Sequence, residues 1–337
     1  MSLLTETIKN RQVYCKEQIA IFRDKINQID EVSKQQEYCI YATGSYARLE
    51  AAKNSDLDLF FVHSLARPVK NISKTLIDAE LIKIQREMNL PEFSGDGKFL
   101  EIHFSEDMIN HLGSREDDYR NFFSARMLLL LESKPIYNDA YYTQVLTRII
   151  DAYYKDFHDH EQDFRPLFLV NDIIRFWKTL CLNYEHARHR DPDLYRNSST
   201  EINRSQSDKR EKKLKAHRNN LKLRFSRKMT CFSFLLNIIS SYEGLDQNKV
   251  LDIVKLTPIE RLQNLTESNR EIKDDVEKAL NLYTEFLQLT SKPGDWIENE
   301  ENRNLAFNKG RLFGDCIFQV LSKLAKHNSE ILKYIVS

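Results

Sequence analysis

Glycine and proline are scarce in this chain. Eight and seven of them in 337 residues leave little material for frequent turns, and the 41% hydrophobic content falls mostly in helical patterns. Both features point to a helix-rich globular protein. No hydrophobic run approaches the length of a membrane span, so no membrane partner is expected. Neither sign of charge is in excess, with 50 Lys+Arg against 50 Asp+Glu. No global field therefore steers the chain toward nucleic acid or a membrane, and any electrostatic argument has to be local. The five cysteines are scattered, odd in number and without a pair at metal-ligand spacing. The N-terminus, MSLLTETIKNRQ, is polar and lacks a signal-peptide core. Reduced thiols in the cytoplasm are the expectation. The length fits one large or two moderate domains.

What the chain does contain is concentrated between Thr43 and Val62, TGSYARLEAAKNSDLDLFFV. Strand alternation predicts Asp56, Asp58 and Phe60 on one face, with Leu57, Leu59 and Phe61 on the other. Two carboxylates projecting side by side repel each other, and a hard divalent cation is the usual compensation. Glu37 to Ala42 reads as another short strand that runs into Gly44-Ser45. A glycine there lets the backbone come close to a ligand, and exposed amides beyond a strand bind phosphate. Phosphate at the turn and metal at the carboxylates together make a nucleotide site.

The pattern Gly44-Ser45-x-x-Arg48-x-Glu50, then Ser55-Asp56-x-Asp58, resembles the nucleotidyltransferases of the DNA polymerase β superfamily. The Arg48-x-Glu50 detail is most similar to the nucleotidyltransferase domain of bacterial PII uridylyltransferase and its uncharacterised relatives. The likeness is specific over residues 38–62, weaker to about 230, and absent from the last hundred. It implies an α+β fold: a small mixed β-sheet palm domain with flanking helices, then an all-helical C-terminal domain. Residues 1–140 would form the first and 141–337 the second. The resemblance also implies two Mg²⁺ ions, with Mn²⁺ a possible substitute, on Asp56, Asp58 and a third carboxylate from a nearby strand.

Residues 3–32 predict a helix with Ile8, Cys15, Ile19, Phe22, Ile26 and Ile29 in one stripe. Residues 71–90 predict another, with Ile72, Leu76, Ala79, Ile84 and Met88 toward the core. Lys98 to Phe104 alternates as a strand, and the resemblance makes Glu101 the third carboxylate; by pattern alone it is also a solvent-facing strand residue. A helix is expected over 117–133, ended by Pro135. Residues 167–185 predict a buried helix whose Asn171, Arg175 and Lys178 form a basic stripe, either a triphosphate wall or a salt-bridged face. His186 to Asn220 reads as an exposed, mobile loop. Leu221 to Ile239 predicts a helix crowded at its start by Lys222, Arg224, Arg227 and Lys228. Arg224 and Lys228 are like charges one turn apart, a cost unless an anion lies between them. That cluster suits the β- and γ-phosphates, an RNA or DNA backbone, or plain solvent. The last ninety residues predict three or four helices without visible chemistry.

The expected reaction is Mg²⁺-dependent transfer of a nucleoside monophosphate from an NTP or dNTP to an acceptor hydroxyl. Asp56, Asp58 and Glu101 are the catalytic and metal-holding residues. Gly44, Ser45, Arg48, Ser55, Arg175, Lys178, Lys222, Arg224 and Lys228 are the nucleotide-binding ones. Arg48 has a second possible role, bracing the turn with Glu50. The acceptor is a protein side chain or a growing oligonucleotide, and the basic stretch 204–228 admits nucleic acid as a partner. Alternatives are a synthase of a nucleotide second messenger in antiviral defence, and a nucleotide- or RNA-binding module with a degenerate transferase fold.

Overall fold

The computed structural model describes residues 5–93, 100–159, 161, 164–190, 206–241, 245–326 and 335. The chain forms two compact units. One is Glu6–Phe168 with Ser241–Pro258; the other is built mainly from Leu169–Ser240 and Ile259–Ser337.

The first unit is organised on a four-stranded mixed sheet of order β3-β2-β1-β4. Its strands are β1 (Tyr38–Thr43), β2 (Asp58–His63), β3 (Ile102–Phe104) and β4 (Ser133–Tyr137). β1 runs antiparallel to both β2 and β4, while β2 and β3 are parallel. Thr43 lies opposite Asp58, Tyr41 opposite Phe60, and Phe61 beside Ile102. Alternation then sends Tyr38, Ile40, Ala42, Leu59 and Phe61 to one face. There they pack with Cys15, Phe22 and Ile26 of the helix Glu6–Asn27, and with Ile77, Leu81 and Ile84 of the helix Asn71–Glu87. The opposite face carries an aromatic layer. Tyr41 stacks on Phe60 at 5.7 Å, Phe60 on His103 at 6.1 Å, and Tyr142 of the helix Asp139–Tyr153 tilts over Tyr41 at 6.1 Å. Because both faces are covered, every residue of β1 is buried.

In the helix Asn71–Glu87, Ile72 and Leu76 are 78% and 47% exposed. The expected stripe joined two faces: 72, 76 and 79 continue to Lys83, whereas 84 and 88 continue back to Leu81 and Ile77, and only the second set meets the sheet. The expected helix 117–133 is two pieces, Arg115–Tyr119 and Phe122–Leu131. Asn121 separates them in the left-handed region at φ 59°. Arg126 and Asp117, both fully buried, tie the pieces together through two hydrogen bonds of 2.8 and 2.6 Å. β4 was not expected at all. Pro135, read as a helix stop, sits in an edge strand, where a missing N–H costs little.

The second unit is helical. Gln206–Lys222 forms a helix, not the loop expected for 186–220; residues 191–205 of that loop lie outside the described residues. It runs through a π-helical turn, Leu223–Arg227, into the helix Lys228–Ser240. Phe225 on that turn stacks on Phe286 at 4.7 Å and Phe313 at 5.3 Å, which belong to the helices Lys273–Thr290 and Glu300–Lys326. The helix Leu167–Arg190 is buried only over its first turns, through Leu169, Val170, Ile173 and Phe176. Leu182 is 68% exposed, so the expected wholly buried helix is a partly exposed one. No described helix is long and apolar enough to cross a membrane.

Candidate functional site

β1 ends at Thr43 and the chain turns at Gly44, whose φ of +68° lies in the left-handed region. A Cβ built on Gly44 would stand 3.1 Å from Asp58 Oδ2. The turn therefore needs glycine twice, for its dihedral and for the carboxylate against it. Gly44–Ala47 makes one helical turn. Glu50 N–H donates to the Ser45 carbonyl at 2.8 Å and Leu49 N–H to that of Tyr46 at 3.0 Å. This is the paired bonding of a Schellman cap, a reversal most often built on glycine. Here Leu49 occupies it at φ 58°. A side chain there costs about 1–2 kcal/mol, offset by burying the Leu49 side chain in the core.

The cap aims Arg48 inward. Arg48 is 7% exposed, and its Nε donates to Glu50 Oε2 at 2.8 Å. Another nitrogen of the same guanidinium donates to Glu132, the residue just before β4. Arg11 of the first helix donates to the Glu50 carbonyl. The Gly-Ser turn is thus tied to β4 and to the first helix. Arg48 occupies the bracing position, between two buried carboxylates. Glu132 and Arg11 carried no visible signal in the sequence, because their partner is 84 residues away for one and 39 for the other.

Asp58 is the first residue of β2, half-buried, opposite Thr43. Asp56 lies just before the start of β2, and the alternation holds across it: Leu57, Leu59 and Phe61 enter the core while Asp56 and Asp58 stay half-buried. Ser55 N–H donates to the Ala52 carbonyl, and Ser55 Oγ accepts from Ala52 N–H, each at 2.9 Å. This turn holds the chain back from sheet pairing until Thr43 provides a partner for Asp58. Ser55 therefore shapes the approach to both acids. The Asp56 charge bears on Tyr46, whose hydroxyl pKa is pushed up mainly by burial.

Glu101 is exposed and precedes β3 by one residue. Burial lowers the His103 pKa, and the nearby Glu101 charge pulls the other way. Residues 98 and 99 of the expected strand lie outside the described residues. Among the described residues no three His, Cys, Asp or Glu side chains are gathered closely enough to hold a metal. Asp56, Asp58 and Glu101 are accordingly not assembled into a three-carboxylate site. Two hard oxygen donors beside a phosphate-sized turn do suit Mg²⁺, which is usually held by one or two carboxylates with substrate phosphates completing its shell.

Residues 25–124 match the nucleotidyltransferase domain family. The matched stretch contains β1, the Gly-Ser turn, both acids, β2 and β3. It supports the polymerase β-type superfamily and a general function in transfer from nucleoside triphosphates. Kinship with PII uridylyltransferase in particular rests on the motif alone. No curated protein and no solved structure matches the chain.

The other residues expected at the nucleotide belong to the second unit. Arg175 is half-buried and pairs with Asp172 at 3.2 Å. Lys178 and Lys222 are exposed. Arg224 Nε donates to Asn220 Oδ1 at 2.9 Å, and its guanidinium lies 5.0 Å from the Phe307 ring centre. Lys228 Nζ lies 5.9 Å from that of Trp177. Burial first, and then Arg224, lower the Lys228 pKa. Gly310 and Gly314 of the helix Glu300–Lys326 admit these side chains. A Cβ on Gly314 would sit 2.6 Å from Lys228 Nζ, and one on Gly310 2.9 Å from Arg224 Cβ. Two glycines four apart inside a helical pattern were the available signal for this close packing.

Gly44→Ala tests the turn. It is expected to cost about 1–2 kcal/mol of stability from the left-handed dihedral and to lower transfer about 10²-fold by displacing Asp58. Thermal denaturation and pyrophosphate release measure the two effects separately.

Proposed function

We propose that this chain is a Mg²⁺-dependent nucleotidyltransferase that moves a nucleoside monophosphate from an NTP or dNTP to an acceptor hydroxyl. The observation that carries the reading is the approach of Asp58 Oδ2 to Gly44. A turn suited to an anion and a carboxylate suited to a cation, this close together, support the reading that both serve one triphosphate.

In this reading Asp56 and Asp58 would hold Mg²⁺, which would supply charge neutralisation at the phosphates and acidity at the acceptor hydroxyl, with Glu101 the candidate further ligand. The amides at Gly44 and Ser45 bind the pyrophosphate end. Ser55 fixes the loop that carries Asp56, and Arg48 keeps the Gly-Ser turn in register. The acceptor oxygen bonds to the α-phosphorus as the bond to the β-phosphate oxygen breaks. Pyrophosphate leaves, and the hydroxyl proton passes to solvent. Positioning and charge neutralisation supply the rate, with no covalent enzyme intermediate. The acceptor is a protein side chain or a growing oligonucleotide; the charge of residues 204–228 favours the polyanion.

One observation favours a second reading, a nucleotide-binding module without turnover: no third acid is gathered with Asp56 and Asp58 among the described residues. Incubation of the full chain with Mg²⁺ and each labelled NTP and dNTP separates the two. Transfer predicts pyrophosphate release and label in the protein or in a new oligomer. Thermal stabilisation by NTP without pyrophosphate release, in the presence of candidate protein and oligonucleotide acceptors, would reject it.

A further inference from the structure

The helix Gln206–Lys222 carries a concentration of positive charge on its exposed side. Between residues 204 and 228 the sequence has eleven Lys and Arg against two Asp and Glu, in a chain whose total charge is zero. The helix sorts them. Ala216, His217 and Leu221 are buried, and Arg210 is held to Glu298 at 2.6 Å, so that side is committed to packing. Lys212, Lys215, Arg218 and Lys222 follow at spacings of three, three and four, and all are exposed. At 100° per residue they fall within one third of the helix circumference. Two acids, Asp208 and Glu211, also fall in that arc by their place in the helix, against the four cations. None of Lys212, Lys215 and Arg218 has an ion-pair partner among the described residues.

Exposed helices usually place opposite charges at these spacings, and like charges oppose the helix. Asp208 and Glu211 offset part of this charge at the spacing of four, and Lys212, Lys215, Arg218 and Lys222, in excess over the two acids, leave a cost that an anionic partner relieves. At 1.5 Å per residue the four cations span about 15 Å, a length that meets several successive phosphates of a nucleic acid. Lysines dominate, and they serve as mobile point charges rather than rigid forks. The arc holds no aromatic residue, which removes base stacking and leaves the backbone as the recognised feature. We propose that Lys212, Lys215, Arg218 and Lys222 form a sequence-independent docking ridge for a nucleic-acid backbone. The proposal goes beyond the transfer reading and stands or falls without it, because the ridge lies in the helical unit and binding needs no turnover.

The test is fluorescence anisotropy of a labelled 20-base-pair duplex with the full chain, in EDTA and without nucleotide. Four neutralised phosphates predict a log–log salt slope near −3.6 and about a 150-fold loss of affinity between 50 and 200 mM salt. The triple variant Lys212→Gln, Lys215→Gln, Arg218→Gln keeps helix propensity. It is expected to flatten the slope to about −0.9 and the loss to about 3.5-fold. Lys215→Gln alone is expected to reduce the slope by about 0.9, which keeps the proposal testable if the triple variant fails to fold. Absence of duplex binding at 50 mM salt, an unchanged slope in the variants, or binding of polyglutamate in place of the duplex would each overturn it.

Discussion

Asp58→Asn is expected to lower pyrophosphate release about 10³-fold or more while the protein stays folded. The substitution keeps the shape of the side chain, so the approach to Gly44 survives and only the charge is lost. A factor of 10³ corresponds to about 4 kcal/mol of transition-state stabilisation, which is within what a lost metal-binding charge removes. Stability is expected to move far less than activity. Asp58 is half-buried at the start of β2, and Asn keeps its shape and its place opposite Thr43. The melting temperature in EDTA should stay close to that of the parent protein. Asp56→Asn is expected to act in the same direction. A residue kept for folding would show the opposite pattern, with stability lost first. Full activity in the double variant Asp56→Asn, Asp58→Asn would end the transfer reading.

How much of this was legible in the sequence depended on distance along the chain. The Gly-Ser turn and the first strand are local, and they form as the pattern predicted, at Tyr38–Thr43 and Gly44. The α+β class was legible for the same reason, since helical stripes and short alternating runs are local periodicities. Where a segment's neighbours decided the outcome, the reading failed. β4 exists because β1 has an open edge, and a strand of five residues around Pro135 carries no periodicity of its own. The start of β2 at Asp58 rather than Asp56 follows from the Ala52–Ser55 turn, which alternation ignores. The charged helix Gln206–Lys222 looked like a loop because most of its surface is polar. Its few buried positions, Ala216, His217 and Leu221, are too sparse to set a stripe. The acids were legible as a motif, but whether Glu101 joins them was not, because that depends on how β3 sits beside β2, and among the described residues it does not join them.

Arg48→Met is expected to cost the first unit about 3–5 kcal/mol, because it removes the cation that Glu50 and Glu132 share in the interior. Glu50 and Glu132 are 2% and 3% exposed, so solvent offers little compensation. For a unit of this size that loss lowers the melting temperature by roughly 6–20 °C. Arg48→Lys is expected to recover only part of it, since one ammonium cannot reproduce a fork that reaches two carboxylates. The double variant Arg48→Met, Glu132→Gln should be more stable than Arg48→Met alone, because one of the two charges that shared the cation is removed. These outcomes separate the two roles open to Arg48. A phosphate ligand would raise KM for the nucleotide and leave the melting temperature of the free protein unchanged. A brace lowers that temperature with no nucleotide present, and activity falls only because Gly44 and Asp58 lose their register. Denaturation of the three variants without nucleotide, set beside KM for any that stay folded, decides between them. An unchanged melting temperature in Arg48→Met would return the residue to the triphosphate.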